Sequence, residues 1–203
     1  MSARPSRSPD VRPAPRALRV AIERSATALT KFMGEPVSIK ALGLRQWPLH
    51  RLPRALGHPS ARVVGIYLGL LGDLDGHVML LLRPRTAQHV VARLLGAPQR
   101  ATTEDPLVSS ALGEVGNVAV SSFLSVIADM GRFSVRPTPP VVVHDLAGAV
   151  LDGIVGDILD HDDLVIAIEV VLEWGGQRGS GALLVFPRPG TLARALQALG
   201  ASS

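Results

Sequence analysis

The residues best placed to do chemistry lie in one stretch, Ser109-Ser110-Ala111-Leu112-Gly113-Glu114-Val115-Gly116-Asn117-Val118-Ala119-Val120-Ser121-Ser122-Phe123. On a helix advancing about 100° per residue, with Ser110 at zero, Glu114 falls near about +40°, Asn117 near about −20° and Ser121 near about +20°. These four polar groups form one narrow stripe. Val108, Ala111, Leu112, Val115, Val118, Ala119, Ser122 and Val126 fall on the opposite side, so the helix is expected to bury that face. An amide on that exposed stripe both donates and accepts hydrogen bonds, which suits holding a water. The stripe carries neither Cys nor His.

Glu is a good helix former, and a polar face alone explains its presence. Asn fits a helix interior less well, because it competes for backbone hydrogen bonds. Gly113 and Gly116 cost about 1 kcal/mol each relative to alanine. Three helix-weakening residues in five positions call for a reason. That reason is either close packing against another helix or close approach of a partner.

The other chemistry-bearing residues make no recognisable site. Asp157, Asp160, Asp162 and Asp163 around His161 fit no calcium loop and read as a solvated loop. His50, His58, His77, His89 and His144 lack metal-ligand spacing. No serine has a GxSxG context, and the Gly-rich stretch near Trp174 lacks the P-loop ending. The 203 residues include no cysteine, which removes disulfides, thiol nucleophiles and cysteine-bound metals together.

The elements that position the stripe follow from hydrophobic periodicity and glycine or proline stops. A helix is expected from Ala17 to Met33, ended by Gly34 and Pro36. A short strand follows at Val37–Ile39, and residues 44–60 read as irregular. Val63–Leu71 and His77–Leu82 form a hairpin around Gly72-Asp73-Leu74-Asp75-Gly76. A helix runs from Thr86 to Leu95. A long helix then runs from Pro106 to Met130, followed by a short strand near Val141–Val143. Strands at Leu164–Trp174 and Ala182–Phe186 flank Gly175-Gly176-Gln177-Arg178-Gly179. A last helix runs from Thr191 to Leu199.

The order repeats. The stretch from Gly76 to Gly96 (GHVMLLLRPRTAQHVVARLLG) matches that from Gly179 to Gly200 (GSGALLVFPRPGTLARALQALG) with a one-residue gap. A lone hairpin is not stable. The expected fold is therefore α+β: a pseudo-two-fold repeat of helix, strand, hairpin and helix. It forms one mostly antiparallel sheet of about six strands with helices packed on it. Residues 14–203 make a single domain of two halves, 14–104 and 105–203. Residues 1–13 are a disordered Arg/Pro/Ser leader.

Charge is uneven. Residues 1–54 hold 11 Arg/Lys against 3 Asp/Glu, a net +8. Residues 55–203 hold 10 against 14, a net −4. The basic leader at residues 1–13 has no aromatic residue for base stacking, so nucleic acid is not an expected partner. No secretory signal or membrane-length apolar run is read, so a cytoplasmic protein is expected.

Ser110-xxx-Glu114-xx-Asn117, followed by the rest of a long helix, a glycine and Pro137, Pro139 and Pro140, resembles the signature of the CheC/CheX/FliY phosphatases of bacterial chemotaxis. The resemblance covers roughly residues 17–200, because the repeated plan is also that family's plan. It implies a CheC-like domain that hydrolyses the aspartyl phosphate of a CheY-like receiver. Asn117 would orient the water and Glu114 would pair with the receiver's lysine. Ser110, Gly113 and Ser121 would face the partner. The protein would need no cofactor of its own, since the receiver supplies Mg²⁺. Ser121 departs from the family, which often has glycine there. The first-half helix departs further. Its two registers place Arg19 and Ile22, or Ala17 and Val20, where Glu and Asn would lie. One active centre per chain is therefore expected. The competing reading is a non-catalytic binding module in a chemotaxis or flagellar-switch complex. A homodimer through exposed sheet edges and a deamidase-type partner stay open.

Overall fold

In the computed structural model, which describes residues 15–52, 58–96, 105–158, 164–188 and 190–200, the chain forms five helices and one seven-stranded sheet among these residues. Helix α1 spans Arg16–Met33 and stops at Gly34, whose φ of 69° is the left-handed conformation glycine adopts freely. Thr30 ties that helix to the next strand, its Oγ1 accepting from the Val37 amide at 2.9 Å.

Strand β1 spans Val37–Pro48 and is far longer than the three residues expected. A bulge at Leu42 explains the error. Val37, Ile39 and Ala41 face the main core, but after the extra residue the core-facing position is Leu44. One inserted residue switches faces, so no single alternation runs through the segment. The outward Leu42 is 57% exposed.

Strands β2 (Arg62–Gly72) and β3 (Gly76–Leu82) make the first hairpin, and helix α2 spans Pro84–Leu95. Helix α3 spans Pro106–Gly131. Strands β4 (Val135–Pro137) and β5 (Val141–Leu146) follow, and both pair with β2. Their separation accounts for seven strands rather than about six. Pro137, Pro139 and Pro140 lack the amide hydrogens a continuous strand needs. Thr138 bridges the break: its amide donates to the Gly69 carbonyl at 2.9 Å, and its Oγ1 accepts from the Gly69 amide at 2.9 Å.

Helix α4 (Ala147–Ile158) was not foreseen, although Ala147, Val150 and Leu151 have helical spacing and are buried. Its glycines at 148, 153 and 156 hid it. Strands β6 (Leu164–Trp174) and β7 (Gln177–Pro187) turn tightly through Gly175 and Gly176, both at positive φ. That two-residue turn replaces the longer loop expected there. Helix α5 spans Leu192–Ala198.

The strand order is β1-β6-β7-β3-β2-β4, with β5 also on β2, and all pairings are antiparallel. The two hairpins meet at β3 and β7, and each takes its outer strand from the other half of the chain. A local two-fold passes between Met79 and Leu184, which pair with each other. The contacts around it come in reciprocal sets. Arg83 Nε donates to Ser180 Oγ at 3.1 Å, and Arg188 Nε lies 3.2 Å from Asp75 Oδ2. Thr86 bonds the backbone of Ser180, and Thr191 bonds that of Asp75. A side chain on Gly76 would strike the Phe186 carbonyl, and one on Gly181 would strike that of Leu81. This two-fold makes Gly76 the equivalent of Gly181, not of Gly179, and the correspondence runs without a gap to Thr191.

Alternation puts Ile66, Leu68, Leu70, Val78, Leu80, Ile166 and Ile168 on one sheet face, beneath α1 and α3. The other face has a smaller core, where Met79, Leu81, Leu184 and Phe186 meet Leu49, Leu52, Val150 and Leu151. The leader at 1–13 and Asp160, His161, Asp162 and Asp163 lie outside the described residues. Nothing is described of the side chain of Asp157.

Candidate functional site

Helix α3 begins at an N-cap the sequence supplies directly. Asp105 Oδ1 accepts from the Leu107 amide at 2.9 Å, and Pro106 occupies the first turn, where its missing donor costs nothing. The helix leaves through Arg132, held in the left-handed region at φ 53°. Between these ends it packs along α1, where Ser25 donates to the Ala119 carbonyl at 2.8 Å in a buried setting.

The two glycines resolve the question raised by the sequence. A Cβ on Gly116 would sit 2.4 Å from Ile66 Cγ2, and one on Gly113 would sit 3.3 Å from Pro140 Cγ. Both glycines are buried. Their reason is close packing, and the neighbour is the sheet and its edge strand rather than another helix. Gly113, grouped by the sequence with the partner-facing residues, instead faces Pro140 and Val142.

The opposite side of α3 carries the stripe. Ser110 and Glu114 are exposed, and Asn117 and Ser121 are half-buried. Among the described residues, neither an ion pair nor a hydrogen bond is found for the Glu114 carboxylate. Asn117 is held: the Ser121 hydroxyl donates to its Oδ1 at 3.3 Å, one helical turn away. Ser121, expected from the resemblance to face the partner, bonds to Asn117 instead of standing apart from it. The four-residue spacing of an amide and a hydroxyl was the signal that could have identified the pair. On α1, Ala17 and Ile22 are buried while Arg19 and Val20 are exposed, so neither register gives that helix an exposed carboxylate–amide pair.

The stripe lies on an exposed helix face, not in a cleft. An open cleft of about 330 Å³ is lined by Leu42, Arg62, Arg83 and Glu169 among others, and takes nothing from α3. Small substrates are usually enclosed in concave pockets; this stripe is laid out for a macromolecular surface. Among the described residues, no three His, Asp or Glu side chains come together as a metal site. Helix α3 is long and apolar enough to cross a membrane by length and composition, with mean hydropathy 1.5 over its best window. Its apolar residues are explained by the sheet and α1, against which Leu112, Val115, Ala119 and Phe123 are buried.

Two histidines sit away from the stripe. Burial, then the Arg188 guanidinium, pushes His77 below the usual histidine range, with Asp75 opposing. Its Nδ1 shares a hydrogen bond with the Tyr67 hydroxyl, and the two rings stack at 5.2 Å. His144, on β5, is likewise lowered by burial, and both its ring nitrogens are buried without hydrogen-bond partners.

Comparison with known proteins agrees with this geometry. Residues 107–144, from the first turn of α3 into β5, match the CheC-like family. The CheY-P phosphatase CheC of Bacillus subtilis (strain 168) is 28% identical over 130 residues, which is 63% of this chain and 62% of that protein. The match thus spans less than two thirds of that relative's length. FliY of Thermotoga maritima shares the fold with a TM-score of 0.70 at 17% identity, over 90% of this chain and 91% of that one. The CheX of a CheX–CheY–BeF3–Mg complex from Borrelia burgdorferi superimposes with a TM-score of 0.50 at 16% identity, covering 85% and 97% of the respective chains. The family match, the CheC relative and the shared fold bear out the resemblance to the CheC/CheX/FliY family.

Proposed function

From that kinship, we propose that the protein hydrolyses the aspartyl phosphate of a CheY-like receiver in the cytoplasm, using Asn117 to orient water and Glu114 to dock. The observation that carries this reading is the pairing on α3: an exposed, unengaged carboxylate one turn from an amide that is already held in place.

The chemistry asks little of a helper. An acyl phosphate is already activated toward water. The receiver contributes its own Mg²⁺ and a lysine that balances the phosphoryl charge; a CheX–CheY complex containing BeF3 and Mg supports that division of labour. What remains is to place one water in line with the breaking P–O bond. Positioning and preorganised dipoles are the main means of accelerating phosphoryl transfer. Asn117 accepts a hydrogen from the water through Oδ1 and leaves the water's lone pair directed at phosphorus. Glu114, three residues earlier, pairs with the receiver lysine and fixes the angle at which the amide enters.

The test is the decay of a phosphorylated CheY-like receiver with and without the full chain. The native protein shortens the phosphate lifetime. Asn117→Ala removes the acceleration while receiver binding persists. Glu114→Ala raises the receiver concentration needed for half-maximal rate. Unchanged decay with the native protein refutes the proposal. Receiver binding without faster decay would identify a docking module instead.

A further inference from the structure

We propose that Ser121 is a positioning residue that holds the Asn117 amide in the orientation the attacking water requires, an inference that rests on the phosphatase reading above. The observation is the Ser121 Oγ to Asn117 Oδ1 hydrogen bond at 3.3 Å. A serine inside a helix ordinarily turns its hydroxyl back onto the carbonyl four residues earlier. Here the hydroxyl reaches the side chain of that residue.

An amide has two unlike ends of nearly the same shape. A water that is to attack phosphorus must keep a lone pair free, so it is best held through a hydrogen it donates. The useful end is therefore Oδ1. The NH₂ end would donate to the water and occupy the lone pair. The residue one turn after Asn117 favours one orientation. Ser121, one turn later, donates to Oδ1 and occupies one of its two lone-pair directions. The second direction stays available to water. Both Asn117 and Ser121 are half-buried, so their bond competes with bulk water less than an exposed pair would. Ser121 thus acts through Asn117 and need not touch the receiver.

The experiment measures receiver dephosphorylation across receiver concentrations, using the full chain and four variants: S121A, S121T, N117A and N117A/S121A. S121A is expected to lower kcat by about threefold to tenfold, the size of effect set by releasing the torsions of one side chain. KM stays unchanged, because docking runs through Glu114. S121T keeps a hydroxyl on Cβ and restores most of the rate. N117A/S121A is no slower than N117A, since the serine has nothing left to orient. Thermal unfolding of each variant is recorded alongside. S121A acting like the native protein while that protein accelerates decay overturns this inference alone. A lowered kcat that threonine does not restore, or a loss that persists in the N117A background, assigns Ser121 a merely structural role and overturns it as well. No acceleration by the native protein overturns the phosphatase reading and this inference with it.

Discussion

Replacing Gly116 with alanine sets two effects of known size against each other. Removing a glycine from a helix interior gains about 1 kcal/mol. The added methyl lands 2.4 Å from Ile66 Cγ2, 3.1 Å from its Cβ and 3.3 Å from its Cδ1. Carbon atoms rest about 3.5 to 4 Å apart, so roughly 1 Å of separation must be found. Ile66 cannot supply it. It is fully buried, its β-branched side chain has little rotamer freedom, and β2 is held between β3 on one side and β5 on the other. Helix α3 must lift instead. Overpacking of this kind costs about 1–3 kcal/mol, which leaves a net loss of about 1 kcal/mol. For a chain of this size that lowers Tm by about 2–4 °C. Gly113 is the control on the same helix. Its nearest obstacle is the Pro140 ring at 3.3 Å, which needs to yield only a few tenths of an ångström. Gly113→Ala is therefore expected to be neutral or slightly stabilising. Urea unfolding of both variants at one pH reads the difference. If Gly116→Ala is as stable as Gly113→Ala, the argument that Ile66 fixes the height of α3 is wrong.

The ends of the helix and the buried histidines give further expectations. Asp105→Ala removes the N-cap of α3 and should cost about 1 kcal/mol in urea unfolding, with Asp105→Asn retaining most of the stability. His77 and His144 both hold their protons less tightly in the fold than in the unfolded chain. Their contribution is fully present above the usual histidine range. As pH falls through that range, the unfolded chain takes up protons first, so stability declines until the folded histidines titrate. Unfolding midpoints at pH 7.5 and 5.5 should differ in that direction, and His144→Gln should reduce the difference. A midpoint that rises on acidification would contradict the burial argument.

The hairpins were legible because β2, β3, β6 and β7 are apolar runs bounded by glycines. The stripe was legible because α3 is one uninterrupted helix, and its angular arrangement needs only the 100° step. Three things were hidden, the first two for local reasons and the third for a tertiary one. The Leu42 bulge reverses the alternation of β1 and conceals most of a twelve-residue strand. Three glycines lower the helix signal of α4. The fate of Gly113 and Gly116 depended on what lies across from them, and Ile66 is 50 residues away in the chain. Composition could show that a helix tolerated two glycines, but only tertiary structure could show that the sheet leaves no room for a side chain at Gly116. The Ser121–Asn117 bond is different: both residues stand on the legible stripe one helical turn apart, and their spacing alone marks them as partners.

β1 lies against β6, and β4 and β5 lie against β2, so neither half completes its own sheet. The exchange of outer strands makes the two halves interdependent, because separating them would leave each hairpin with a bare edge where the other half's strand now lies. The same interlock holds α1 and α3 over one sheet, so that α1, whose outer face offers Arg19 and Val20, serves as the wall along which α3 is aligned.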